Sequence, residues 1–260
     1  MPYENIIVEL EGPIGIIKFN RPKALNALNS ATLSELKAAG TELDLAKEIK
    51  VVIVTGEGDK AFVAGADIQE MKDMTPTQAT AFSHKGHAAL GTLENMRKPV
   101  IAAVNGYALG GGFEVALACD MIYASEKARV GFPEVTLGIF PGFGGTQRTA
   151  RLIGLAKAKE LVMSGKVITA QEAYEMGLVN KVLAPDQLMA SVRELAAKIL
   201  AAGPIGVGFA KYLVNRSLSL DIDSGLELEA TTFGLCFGTS DQKEGMTAFV
   251  EKRTPTFQGE

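Results

Sequence analysis

The chain has 260 residues and a formal net charge of −4, with 47% hydrophobic and 22% charged residues. That balance excludes a largely disordered chain, and the length suits one large α/β domain with an appendage and a sizeable core. The slight acidity and the lack of a basic block argue against nucleic acid as a partner, because phosphate affinity rests on clustered Lys and Arg. Cys119 and Cys236 belong to no C-x-x-C pair and read as free, buried thiols of a reducing compartment. The N-terminal residues lack the charged and apolar segments of a signal peptide, and no apolar run is long enough to span a bilayer. The expectation is a soluble, cytoplasmic protein with no membrane partner.

Residues 6–19 alternate around a Gly12-Pro13 turn, which predicts two strands. Ser30 is the predicted cap of a helix over 32–49, with Leu33, Leu36, Leu43 and Ala46 on one buried face. The apolar run 51–55, closed by Gly56, predicts a strand buried on both faces, and 99–104 predicts another. A helix is predicted between them, over 75–96. Gly110-Gly111-Gly112 then leads into an apolar helix over 113–120, followed by short strands at 121–124 and 128–131. From about residue 150 onward the pattern is mainly helical. This alternation favours an α/β core with parallel strands over 1–190 and a helical region over 191–260.

The common catalytic signatures are absent. His84 and His87 are the only histidines, and no Cys or acidic cluster beside them completes a metal site, so both read as exposed helix residues. There is no G-x-S-x-G elbow, no P-loop and no G-x-G-x-x-G; Gly142-Phe143-Gly144-Gly145 comes nearest, with Gln147 where the third glycine belongs. What remains is two glycine-containing turns and two glutamates. The first turn is Ala64-Gly65-Ala66-Asp67-Ile68; the second is Gly110-Gly111-Gly112. At the second, glycines let the backbone approach a ligand, and the unpaired N–H groups of the following helix start suit a developing negative charge. A tight turn with close helix–strand packing explains the same glycines. Glu114 is a lone carboxylate in an apolar helix, and Glu134 follows 20 residues later, again among apolar neighbours. Desolvation raises a glutamate pKa toward neutrality, which acid–base chemistry without histidine requires.

An ordered series of motifs resembles the crotonase (enoyl-CoA hydratase/isomerase) superfamily. It runs from Asn20-Arg21-Pro22 and Asn26-Ala27-Leu28 through Ala61-Phe62-Val63-Ala64-Gly65-Ala66-Asp67-Ile68. It continues with Lys98-Pro99 to Asn105-Gly106, the segment 108–114, Pro133-Glu134, Leu137-Gly138 and Pro141-Gly142-Phe143-Gly144-Gly145-Thr146-Gln147-Arg148. Gly177-Leu178-Val179 and the segment from Glu244 to Arg253 complete it.

The resemblance implies a spiral of ββα repeats with a helical C-terminal trimerisation region, assembled as a homotrimer or a homohexamer of two trimers. It implies acyl-CoA thioester substrates, with coenzyme A part of the substrate and no metal or redox cofactor. The oxyanion-hole amides fall on Ala66 and Gly111. Ala24, Ala64, Asp67 and Ile68 match segments that contact the CoA moiety, and Phe249 and Lys252 match residues that reach the CoA of a neighbouring subunit. Glu114 and Glu134 match the two hydratase glutamates: the first deprotonates the water that adds at C3, the second supplies the proton at C2. Gly142 implies backbone contacts near that water. Phe132 departs from the pattern, standing where well-known hydratases often carry Gln. Retention of both glutamates favours hydration of trans-2-enoyl-CoA to 3-hydroxyacyl-CoA. Isomerisation or other thioester chemistry on the same scaffold is the alternative, and a non-catalytic CoA- or RNA-binding member is a third reading. Acyl-chain length, expected to depend on loops over 71–93, and the catabolic pathway stay open.

Overall fold

The opening alternation becomes an antiparallel hairpin, β1 (Ile6–Glu11) and β2 (Ile14–Phe19), in the computed structural model, which describes residues 3–260. Met1 and Pro2, the start of the stretch read for a signal peptide, lie outside the described residues. Then follow α1 (Ser30–Leu45), β3 (Val51–Gly56), β4 (Ala61–Val63), α2 (Ile68–Met71) and α3 (Pro76–Asn95). The next stretch is β5 (Val100–Val104), β6 (Tyr107–Leu109), α4 (Gly111–Leu117), β7 (Met121–Ser125), β8 (Arg129–Gly131) and α5 (Gly145–Ser164). The chain continues through β9 (Val167–Thr169), α6 (Ala170–Met176), β10 (Lys181–Leu183), α7 (Leu188–Leu200), α8 (Pro204–Arg216), α9 (Ile222–Cys236) and α10 (Ser240–Glu251).

The strands form two sheets. The larger has the order β1-β2-β3-β5-β7-β10, parallel except for the β1–β2 hairpin. The smaller has the order β4-β6-β8-β9, parallel except for β8–β9. Each pair β3–β4, β5–β6 and β7–β8 gives its first strand to the large sheet and its second to the small one, then leads into a helix. The result is the expected spiral of ββα repeats.

Burial on both faces explains the continuous apolar runs of the central strands. On one face of the large sheet, Ile17, Val52, Val54, Ala102 and Val104 join the main core with Leu33 and Leu36 of α1 and Leu90 and Leu93 of α3. On the other, Ile16, Ile53, Ile101 and Ala103 pack against Leu188, Val192 and Ala196, which recur at four-residue spacing on α7. Among the described residues no single helix is long and apolar enough to cross a membrane.

Several local expectations are corrected. The cap of α1 is Asn29, whose Oδ1 accepts from Thr32 N at 2.8 Å, and Ser30 is the first helical residue. The helix stops at Leu45 rather than 49, where Ala46 turns extended. Asn29→Ala therefore costs about 1 kcal/mol in urea unfolding, and Ser30→Ala much less; the reverse order would assign the cap to Ser30. Helix α4 begins at Gly111 and ends at Leu117, displaced from the predicted 113–120 because low helix propensity in two glycines masks its start. The region after 150 is interrupted by β9 and β10, three-residue strands too short for periodicity to mark. Residues 71–93 are mostly α3, not loops, and Cys119 and Cys236 are free cysteines, each residue half-buried.

Candidate active site

Parallel pairing of β4 with β6 places the two glycine-containing turns side by side, since both leave the same end of the small sheet. After β4 the chain meets the loop following β2: Ala64 N donates to Leu25 O at 3.0 Å and Leu28 N to Gly65 O at 2.8 Å. Asp67 N closes the bridge on Leu28 O at 2.8 Å. A parallel bridge of this kind uses the atoms flanking Ala66 and leaves the Ala66 N–H without a partner among the described residues. After β6, Gly110 caps α4 with φ +49, a conformation that favours glycine. Gly111 N–H, at the first helical position, likewise has no partner among the described residues. A Cβ on Gly112 would overlap the carbonyl oxygen of Val63, so the first turn of α4 sits directly against the end of β4.

Glu114 lies in that same first turn and is only 1% exposed. Its Oε1 accepts from Phe143 N at 2.7 Å and Gly145 N at 2.6 Å. Burial pushes its carboxyl up to about 7; the neighbouring Glu134 adds to the rise, while the Gly145 and Phe143 amides and Arg148 oppose it. Glu134 enters from the 3-10 turn Pro133–Leu137. Its Oε2 is buried without a hydrogen-bond partner among the described residues, and burial raises this carboxyl to about 7 as well. The carboxylate lies over the start of α4, since a Cβ on Gly110 would fall 2.5 Å from Glu134 Oε1. Two carboxyls, each raised to about 7, thus flank a helix start whose Gly111 amide has no partner among the described residues.

The walls are apolar. Phe132 is fully buried, packs on Phe113 with ring centroids 5.3 Å apart, and approaches the backbone at Gly145 beside Glu114. Phe143 packs on Phe82 at 5.3 Å, with its Cδ2 3.2 Å from where a Gly111 Cβ would stand. Phe132 therefore closes one side with a ring where an amide would offer hydrogen bonds.

Residues 9–260 match the family described as enoyl-CoA hydratase/isomerase. The chain belongs to that family. The chain is 51% identical to the short-chain-enoyl-CoA hydratase of Clostridium acetobutylicum over 97% of both chains. It is 50% identical to the crotonyl-CoA hydratase of Syntrophomonas wolfei over 99% of both. A crystal structure of enoyl-CoA hydratase from Bacillus anthracis superposes with a TM-score of 0.95 at 42% identity, covering 99% of this chain and 100% of that one. The crotonase resemblance and its fold are thereby established.

Within this enoyl-CoA hydratase/isomerase fold, Glu114, Glu134, Ala66 and Gly111 converge on one site. Ala24, exposed on the short turn Pro22–Ala24, lies on a surface hollow of about 380 Å³ lined by residues 20–24. Ala64 is half-buried beside that loop, and Ile68 is 46% exposed. The Asp67 carboxylate is already engaged: it pairs with Arg21 at 2.9 Å and caps α2 through Gln69 N. Gly142 neighbours the Glu114 cradle, its carbonyl accepting from Ser83 Oγ at 2.6 Å. Phe249, 85% exposed, and Lys252, exposed with φ +57, face solvent at the end of α10 in a single chain. His84 and His87 are exposed on α3.

Sequence reasoning missed the groups that hold the turns. Asn26 is 1% exposed with φ +61; its Nδ2 donates to Ala61 O at 2.9 Å and its Oδ1 accepts from Arg21 N, fastening the early loop to β4. The amides of Phe143 and Gly145 were equally hidden, because a backbone N–H has no signature in the sequence.

Proposed function

We propose that the chain is an enoyl-CoA hydratase that adds water across the 2,3 double bond of a trans-2-enoyl-CoA and catalyses the reverse dehydration. The observation that carries this is the proximity of the buried Glu114 and the half-buried Glu134, both raised to about 7, to two amides without a partner among the described residues. The thioester carbonyl is bound by the Ala66 and Gly111 N–H groups, which stabilise the enolate-like charge that develops on its oxygen. Glu114 takes a proton from water as the water oxygen bonds to C3, and Glu134 gives its proton to C2. The product is 3-hydroxyacyl-CoA, and a proton exchange between the glutamates restores the starting state. Coenzyme A is held by the surface around Ala24, Ala64, Asp67 and Ile68, with Gly142 near the reacting water. Phe249 and Lys252 reach the CoA of an adjacent subunit in a trimer or a hexamer of two trimers built through residues 191–260, with residues 1–190 carrying the active site. The bacterial relatives support a cytoplasmic location.

The test is the loss of conjugated-thioester absorbance when the purified protein meets crotonyl-CoA. Rapid loss that vanishes in Glu134→Gln supports hydration. Tight acyl-CoA binding without loss of absorbance moves the reaction to isomerisation or other thioester chemistry. The pH dependence has a definite sign. In hydration, Glu114 must be ionised and Glu134 protonated, so kcat/KM falls on both sides of a maximum near pH 7. The two limbs belong to the coupled pair rather than to either glutamate alone. A rate that stays flat from about pH 5 to 9 would remove this assignment of acid and base.

A further inference from the structure

Arg148 lies on α5, three residues beyond its start at Gly145, and its side chain is 16% exposed. Its Nη1 donates to Phe143 O at 2.9 Å. Nη2 and Nε donate to the two Glu94 carboxylate oxygens at 2.6 and 3.3 Å, a two-pronged pairing that fixes the plane of the guanidinium. Gly144, at φ +107, makes room for it, because a Cβ there would overlap Nη1. Glu94 is anchored in turn: its carbonyl accepts from Asn215 Nδ2 of α8 at 3.0 Å.

The turn 143–145 is therefore gripped from two sides. Arg148 holds the Phe143 carbonyl, while the N–H groups of Phe143 and Gly145 both donate to Glu114 Oε1. With Oε1 occupied twice, Oε2 is the oxygen left for proton exchange. We propose that Arg148, braced by Glu94, is a positioning residue for hydration: by holding the Phe143 carbonyl it aims both amides at Glu114 Oε1 and so fixes which carboxylate oxygen meets the reacting water. The proposal rests on Glu114 acting as the base. A mere staple between α5 and α3 would affect stability alone. A positioning residue also affects turnover and its pH dependence. Arg148 and Glu134 are the charged groups that face Glu114, one favouring the carboxylate and the other opposing it, so removal of the cation leaves the repulsion unbalanced.

The experiment is steady-state hydration of crotonyl-CoA by Arg148→Gln, Arg148→Lys, Glu94→Gln and Arg151→Gln, with thermal unfolding of each. Arg148→Gln is expected to lower kcat about 10- to 100-fold, since small misplacement of a reacting group costs that much, with KM within about 3-fold. Its acidic limb moves to higher pH. Arg148→Lys restores the position of that limb but only part of kcat, because an ammonium cannot make the two-pronged pairing. Glu94→Gln lowers kcat less than Arg148→Gln, and Arg151→Gln, whose side-chain bonds among the described residues go to Gln147, leaves rate and pH profile unchanged. Wild-type kcat and an unmoved acidic limb in folded Arg148→Gln would overturn the proposal. If that variant does not fold, Glu94→Gln decides: reduced kcat in folded protein supports it and unchanged kcat overturns it. Glu114→Gln separates the two levels. Wild-type turnover there removes the base assignment itself, whereas an inactive Glu114→Gln beside an unaffected Arg148→Gln removes only the positioning role.

Discussion

Glu114→Gln is expected to lower kcat for crotonyl-CoA hydration by about 10³-fold, within the range for loss of a general base, and to leave a folded protein that is more stable than the parent above neutral pH. The stability half follows from the sign of the titration. Burial raises the carboxyl from 4.5 to about 7, so the native state binds this proton more tightly than the unfolded chain does. The resulting stabilisation is complete below the unfolded pKa and is lost as pH rises through about 7. At pH 8 the fold has therefore lost about 3 kcal/mol of the stability it has at low pH, where Glu114 is protonated in both states. Glutamine cannot ionise, and its carbonyl oxygen can still accept from Phe143 N and Gly145 N where Oε1 does now. Urea unfolding at pH 4 and pH 8 reads the difference: parity at the lower pH and a gain for the variant at the higher one. Equal destabilisation at both values would mean that the carboxylate serves as a structural acceptor, and unchanged kcat would end its role as base.

The same residue shows why half of the site was legible. A carboxylate inside Phe113-Glu114-Val115-Ala116-Leu117 has no cheap reason to be there, since an unpaired charge in an apolar helix is costly. Glu134 stood out for the same reason. What compensates Glu114 came from elsewhere in the chain: the two amides belong to residues 29 and 31 positions away, brought in by the turn before α5. Such a contact exists only after folding. The α/β alternation was legible because β3 and β5 are continuous apolar runs with turn residues behind them, whereas the ββα repeat rested on the resemblance. Strands β9 and β10 were not, for three residues carry no period and their pairing is set by β8 and β7. Asn29 and Ser30 are both cap residues, so only the geometry at Thr32 N separates them. Phe249 and Lys252 rest on resemblance alone, as a single chain gives them no ligand to touch.

Gly112→Ala is expected to destabilise the fold by about 2–3 kcal/mol, the scale of overpacking, and to cut kcat/KM by about 10²-fold in the protein that remains folded. The added methyl would overlap the carbonyl of Val63, a backbone group held in the small sheet by the pairing of β4 with β6. Neither side can yield cheaply. Relief requires α4 to back away from β4 or the end of β4 to shift, and each movement changes the separation of the Gly111 N–H from the Ala66 N–H. A carbonyl oxygen that must meet both donors then loses one of them. Gly111→Ala is the informative contrast. Its methyl would meet side-chain atoms, Phe143 Cδ2 at 3.2 Å and Leu28 Cδ1 at 3.4 Å, which can give by a few tenths of an ångström while the backbone donors stay in place. Denaturant unfolding together with hydration rates for both variants distinguishes the two kinds of contact. If Gly112→Ala were as stable and active as the parent, the seating of α4 on β4 would not set the spacing of the donors, and the anion site would have to rest on one amide.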